Sequence, residues 1–392
     1  MLTLIKSAEL YTPEKLGKRD VLIAGKKIIA IEEHIELNSN LDIVEIDANG
    51  KVLAPGFVDA LVHFSGGGGE AGFASRTPEM QLTDATLSGI TTVVGALGTD
   101  DISRTHSDLI AKAKGLKQEG LNAYCHTGSY HFPIKTLGDS ISHDIMYIDE
   151  VIGVGEVAIS DHRGSQPTVQ MLAKVAAESR TAGLLSNKRG TVSIHVGTGA
   201  EHLDLLHQVA ATTEVPISQF YPTHMNRNAE LLTAGIAFCQ AGGTIDFTTS
   251  TTEYDLAHGE LAAAEALAYC LEKGVDPSKL TMSSDGHASL PVFDSNNHMV
   301  GFEVGQEASL LTSLQQAVNE FKVPLELALQ AITKNPASIL GLAKGIITQG
   351  GDADLVLLDK DTLSVHSVWC NGEAMVAEHV PVKHGFFPSR SN

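Results

Sequence analysis

The sequence predicts an α/β protein: a (β/α)8 barrel joined to a small β-sandwich domain assembled from both ends of the chain. Three observations lead there. Eight short apolar runs, each followed by a helical stretch, fill residues 56–344, which is the repeat number and length of such a barrel. Residues 1–55 and 345–392 instead alternate apolar and polar positions, the pattern of half-buried strands. No G-x-G-x-x-G dinucleotide turn leading from a strand directly into a helical stretch occurs among the repeats, which speaks against a doubly wound open sheet.

At the N-terminus, VLIAGKKIIAIEE and LDIVEIDANGKVLAPG predict antiparallel strands, with Asn49-Gly50 as a hairpin turn. The barrel strands are then expected at LVHF (61–64), TTVVGAL (91–97), NAYCHTG (122–128), VGEVAIS (154–160), TVSIHVG (191–197), FYPTHM (220–225), TIDFTT (244–249) and LTMSSDG (280–286). Between them SDLIAKAKGLKQEG, VQMLAKVAAESRTAG, ELLTAGIAFCQAGG and ELAAAEALAYCLEKG carry apolar residues at helical spacing and end near glycine. At the C-terminus DADLVLLD, SVHSVWCNGEAMVAE and VPVKHG return to period two, with a second hairpin signal at Asn371-Gly372.

Composition excludes several function classes. Of 392 residues, 27 are Lys or Arg and 47 are Asp or Glu, for a formal charge of −20. Phosphate backbones and anionic membranes select the opposite sign, so neither nucleic acid nor a membrane is an expected partner. No run of about 18 apolar residues exists to span a bilayer, and the first twenty residues hold no uninterrupted apolar stretch of a signal peptide. Four scattered cysteines with no C-x-x-C pair predict buried, reduced thiols. The expectation is a cytoplasmic protein.

The strand ends are unusually polar. They carry His63, then Tyr130 and His131, Glu156 with Asp161, His162 and Arg163, His195, His224 with Arg227, and Asp285. A lone histidine on an apolar strand is more often a core residue than a ligand. Several imidazoles and carboxylates at matching positions of one barrel rim point instead to a metal centre, since these are groups that zinc accepts.

In their order, APGFVDALVHF, GEVAISDHR, SIHVG, PTHMNRN and SSDGHAS resemble the amidohydrolase superfamily. More narrowly the chain resembles the isoaspartyl (β-aspartyl) dipeptidases, through Gly66 to Gly69 with Glu70, Thr127 to His131, Ser160 to Arg163, Thr223 to Asn228, and Asp285 to Ser289. The resemblance runs from about residue 10 to residue 375. It implies two Zn2+ sites, one held by His195 and His224, the other by His63 and Asp285, with Glu156 shared between them. It further implies Asp285 as general base and acid toward a metal-activated water, and Tyr130 as hydrogen-bond donor to the carbonyl oxygen. Glu70 would take the ammonium of a small dipeptide substrate, and Arg163 and Arg227 its carboxylates. Gly68, Thr99 and Ser289 would bind the isoaspartyl carboxylate. A homo-oligomer is expected on the same ground.

Two departures stand out. Glu156 occupies the place where many members carry a carboxylated lysine; either presents two oxygens to two cations. More seriously, the first histidine of the family's His-x-His is Leu61, which can ligate nothing. The His63/Asp285 site is therefore expected to be the weaker of the two. His287, two residues past Asp285, is a candidate substitute whose side chain is expected to point away. Two alternatives remain open at this stage: a hydrolase of another small amide, and a catalytically weak barrel that serves as a binding or assembly protein.

Overall fold

The computed structural model describes residues 2–37, 42–294 and 298–387. Eight parallel strands make the centre: β1 (Phe57–Val62), β2 (Ile90–Gly95), β3 (Asn122–Thr127), β4 (Val151–Ile159), β5 (Thr191–Val196), β6 (Phe220–Thr223), β7 (Ile245–Thr248) and β8 (Leu280–Ser283). β1 to β6 form one curled parallel sheet in chain order, and β7 pairs with β8. Backbone bonds cross the two remaining gaps. The N–H of Met225 donates to Asp246 O at 3.1 Å, and those of Asp285 and His63 donate to Leu61 O and Gly286 O at 3.0 and 2.8 Å.

The apolar runs fall on these strands because strands buried on both faces need near-continuous apolar sequence. β1 is the exception. It begins at Phe57 rather than Leu61 and ends at Val62, so His63 stands just beyond the strand end. The helix at Val169–Ser186 runs through Gly183 and closes on Asn187, which takes the left-handed conformation at φ 56°. All four cysteines are free and buried. No helix among the described residues is long and apolar enough to cross a membrane.

The chain ends meet in a nine-stranded sheet. Leu355–Asp359 pairs antiparallel with Lys51–Pro55, Leu355 opposite Pro55 and Asp359 opposite Lys51. Asn371 and Gly372 form a two-residue hairpin turn with φ of 51° and 74°, as a type I′ turn demands. Asn49-Gly50 does not. Ile43–Asp47 and Lys51–Pro55 both run parallel to Leu2–Tyr11, so the chain kinks there and continues in the same direction. The reason is local: a type I′ turn needs positive φ at both central residues, and here only Gly50 has it, at 77°. Ala48 instead donates to Lys6 O and keeps the segment on its neighbour.

Candidate active site

Three histidines come together at the C-terminal ends of β1, β5 and β6, and each is held the same way. His63 turns Nδ1 to Ala96 O at 3.1 Å. His224 turns Nδ1 to Thr248 Oγ1 at 2.5 Å. His195 turns Nε2 to Asp161 Oδ2 at 3.0 Å. The opposite nitrogens converge on Glu156: His195 Nδ1 and His224 Nε2 lie 3.1 and 2.9 Å from Oε1, and His63 Nε2 lies 4.0 Å from Oε2. Asp285 Oδ1 is 3.2 Å from His63 Nε2. Fixing one ring nitrogen to an outer oxygen presets the tautomer that leaves the other free to ligate.

The electrostatics follow from burial. Burial disfavours the Glu156 carboxylate, yet His195 and His224 outweigh it and hold the group well below its usual range. Burial also opposes the His63 imidazolium, but the hydrogen bond and charge of Asp285, with Glu156, raise it to about 9. His224 goes the other way, to about 4, through burial and the charges of Arg227 and His195. Glu156 Oε2 is buried with no hydrogen-bond partner, an arrangement that costs free energy unless a cation or donor meets it. Glu156, His195 and His224 bring one ligand atom each within 4.8 Å of one another. These residues fit a divalent cation.

Leu61 contributes nothing to that set. It is 2% exposed yet lies outside the apolar clusters that take its neighbours Ala60 and Val62. His287 is directed elsewhere, with Nδ1 3.0 Å from Pro78 O and Nε2 3.5 and 3.6 Å from Asp84 and Glu307.

His63, Gly68, Glu70, Thr99, Tyr130, Arg163, His195, His224, Arg227, Asp285 and Ser289 line one cavity of about 720 Å³, while Glu156 is fully buried and His131 and His287 are not among its lining. Thr99 donates to Glu70 Oε1 at 2.9 Å. Arg163 is already engaged: Asp161 takes Nε and Nη2 at 3.0 and 2.7 Å, and Nη1 stands 3.6 Å from Glu70. Only the end of its guanidinium remains for a ligand. Arg227 Nη1 donates to Val196 O at 2.9 Å. A Cβ on Gly68 would fall 2.8 Å from Ser289 Cβ, so glycine is what lets the loop close on Ser289, whose buried hydroxyl has no partner. Tyr130 places its hydroxyl 2.6 Å from His195 Nδ1. Burial and the charge of Glu156 push its pKa well above 10, so it remains a donor.

Sequence reasoning missed three groups and named a fourth, Asp161, among the polar strand ends without giving it a role. Asp161 and Thr248 hold the outer nitrogens of two histidines. Glu260 lines the cavity, with its carboxyl pushed up to about 7 by burial. His126 in β3 is 1% exposed, neither ring nitrogen has a hydrogen-bond partner, and burial lowers it to about 4. Of these only Asp161 carried a signal, as part of the Ser160–Arg163 motif.

Comparison with known proteins agrees with this geometry. The amidohydrolase family matches residues 52–375. The crystal structure of β-aspartyl dipeptidase from Fervidobacterium islandicum AW-1, in complex with the β-Asp-Leu dipeptide, superposes with a TM-score of 0.90 at 41% identity. The match covers 99% of this chain and 100% of that one. A second structure of β-aspartyl dipeptidase from that organism gives 0.90 at 39%. A dihydroorotase from Ligilactobacillus salivarius (strain UCC118) is 35% identical over 120 residues, a match spanning only 27% of that relative's length. The chain therefore belongs to the amidohydrolase family of hydrolases, in the group formed by the β-aspartyl dipeptidases that it matches from end to end.

Proposed function

We propose that the protein is a zinc-dependent dipeptidase that hydrolyses the isopeptide bond of β-aspartyl dipeptides. The observation that carries this reading is the company kept in one cavity: the histidine–carboxylate cluster, one anion (Glu70) and two guanidiniums (Arg163, Arg227). A β-aspartyl dipeptide has one ammonium and two carboxylates, which is the complementary set. A neutral cyclic amide would leave Glu70 and both arginines without a counterpart.

His195, His224 and Glu156 would hold one ion; His63, Asp285 and Glu156 would hold the other. Divalent ions so placed lower the pKa of water and polarise a carbonyl group. The remaining work falls to the chain. Asp285 accepts the proton of the attacking water and returns it to the leaving amine. Tyr130 donates to the carbonyl oxygen as its charge grows. Glu70 receives the α-ammonium, Arg163 and Arg227 receive carboxylates, and Gly68, Thr99 and Ser289 bind the isoaspartyl carboxylate. Closure of the eight strands into a full (β/α)8 barrel, supported by the backbone bonds across both gaps, sets these groups on one rim. The same reading divides the chain into residues 56–344, the catalytic barrel, and residues 1–55 with 345–392, the small β-sandwich domain. It takes the protein as a homo-oligomer of the cytoplasm.

The test is cleavage of β-Asp-Leu by the purified protein with metal content measured in parallel. We expect aspartate and leucine to appear, to stop on chelation and to resume with zinc. A protein that binds zinc and leaves the dipeptide intact would overturn the assignment and favour the binding-protein alternative that Leu61 suggests.

A further inference from the structure

Asp161 lies two residues beyond the end of β4, and its carboxylate is almost fully buried. Four donors converge on it. Oδ1 accepts the backbone N–H of Arg163 at 2.8 Å and its Nε at 3.0 Å; Oδ2 accepts Nη2 at 2.7 Å and His195 Nε2 at 3.0 Å. Three of the four come from Arg163, whose guanidinium meets both carboxylate oxygens as a bidentate ion pair. An ionised carboxylate only accepts, so Nε2 of His195 carries a hydrogen. That leaves Nδ1, on the Glu156 side, as the ligating atom.

The guanidiniums of Arg163 and Arg227 also approach Nε2, at 3.3 and 3.2 Å. Donors facing an N–H gain nothing, and the shorter contact to a full negative charge decides the tautomer. The outer nitrogens of His63 and His224 face uncharged oxygens of Ala96 and Thr248. His195 alone among the three is pinned by a charge, and that charge is shared with an arginine of the cavity wall.

We propose that Asp161 is a positioning residue that couples the two halves of the site: it sets the tautomer of His195 and, with the same carboxylate, aims Arg163 into the cavity. The proposal rests on the reading that Glu156, His195 and His224 hold an ion. Its consequence is specific. An asparagine at 161 offers one acceptor and one donor in place of two acceptors. With its oxygen toward His195, its amide hydrogens confront the N–H groups of Arg163. Turned the other way, they confront Nε2, and the ring must move its proton to Nδ1. Either rotamer breaks one link.

The experiment titrates metal-free protein with zinc against a chromophoric chelator, then measures β-Asp-Leu kinetics at saturating zinc. Asp161→Asn should weaken the tighter zinc site by ~10–100-fold, the usual effect of losing an outer partner of a ligand. It should also raise KM by about one decade, more than it lowers kcat, because a charged contact to the substrate is loosened. Arg163→Ala should raise KM and leave zinc affinity unchanged. Asp161→Glu keeps an acceptor-only group and should recover much of the zinc affinity; it also serves if the asparagine variant does not fold. Zinc affinity of Asp161→Asn within about twofold of the parent would overturn the proposal. So would an equal loss in Arg163→Ala, which would mean only that the cavity wall had collapsed. If the parent binds zinc but does not cleave β-Asp-Leu, the proposed substrate fails, and the zinc titrations still decide the role of Asp161.

Discussion

Restoring histidine at position 61 is the most informative perturbation of this site. Leu61 is buried at the end of β1, and its carbonyl accepts from the backbone N–H of Asp285 at 3.0 Å. Its backbone thus already braces the weaker half of the cluster, while its side chain supplies no ligand. In the parent that half has three protein ligands at best: His63, Asp285 and the shared Glu156. Three ligands and a water can still hold catalytic zinc, so the site is weakened rather than abolished. Leu61→His loses about 1.5–3 kcal/mol of apolar burial and adds about 1–3 kcal/mol wherever the new imidazole lacks a partner. Metal-free variant should therefore melt several degrees below metal-free parent. Zinc should reverse the order, because the added ligand binds only in the folded state. The assay is a competition titration with two-site analysis, alongside thermal unfolding with and without zinc. In the parent we expect unequal sites, the His195/His224 ion bound more tightly and the His63/Asp285 ion lost first to chelators. In the variant the second site should tighten. Two equally tight sites in the parent, unchanged by Leu61→His, would refute the reasoning; some other residue would then be replacing the missing imidazole, and His126 would be the first to test.

Asp285→Asn retains an oxygen beside His63 but removes the base, and turnover on β-Asp-Leu should fall by ~10²–10⁴ with the fold intact by circular dichroism; near-normal turnover would assign proton transfer to another group. Arg227→Ala removes a charged contact worth ~1.5–3 kcal/mol, so kcat/KM should drop by roughly one to two decades with zinc content unchanged. Full activity would exclude Arg227 from substrate binding. Asp59 has its pKa raised to about 8 by burial, with one oxygen accepting from Ser284 N and the other unpartnered. A carboxyl whose folded pKa lies above its unfolded value binds a proton on folding. Its contribution is therefore complete below about pH 4 and is lost as pH rises toward 8, at up to about 1.4 kcal/mol per pH unit. Asp59→Asn should flatten that part of the pH–stability curve, as followed by chemical denaturation from pH 5 to 8; an unchanged slope would show that Asp59 does not titrate there.

The eight strands were legible because full burial demands apolar runs, and the runs are all a strand needs to betray itself. Limits of β1 were less so: its start reads as Leu61 rather than Phe57, since nothing local marks where one sheet yields to the other. Asn49-Gly50 misled for a related reason. The dipeptide permits a tight turn, but whether it forms depends on where the next strand finds a partner, and here Leu2–Tyr11 supplies one on the same line. In the site, charge and motif order exposed Glu156, the histidines, Glu70 and the arginines. Thr248 and His126 stayed hidden because a threonine and a lone histidine on apolar strands look like ordinary core residues. Nor did the sequence reveal that most of Arg163 is already spoken for by Asp161, since that is a matter of rotamers rather than residue types.

That last arrangement changes how selectivity should be understood. Before any ligand arrives, Glu70 accepts from Thr99 and stands 3.6 Å from Arg163, and Arg163 leans on Asp161. An entering dipeptide does not find bare charges; it trades places with contacts the cavity makes with itself. Its ammonium must replace Arg163 beside Glu70 while its carboxylate replaces Glu70 beside Arg163. A molecule carrying both charges completes the exchange at little net cost. One carrying only a carboxylate separates the pair and leaves Glu70 without its charged neighbour, a loss that its own contact must overcome. The gate thus counts charges in pairs, and rejection of simple acids and simple amines comes from what they leave unmatched.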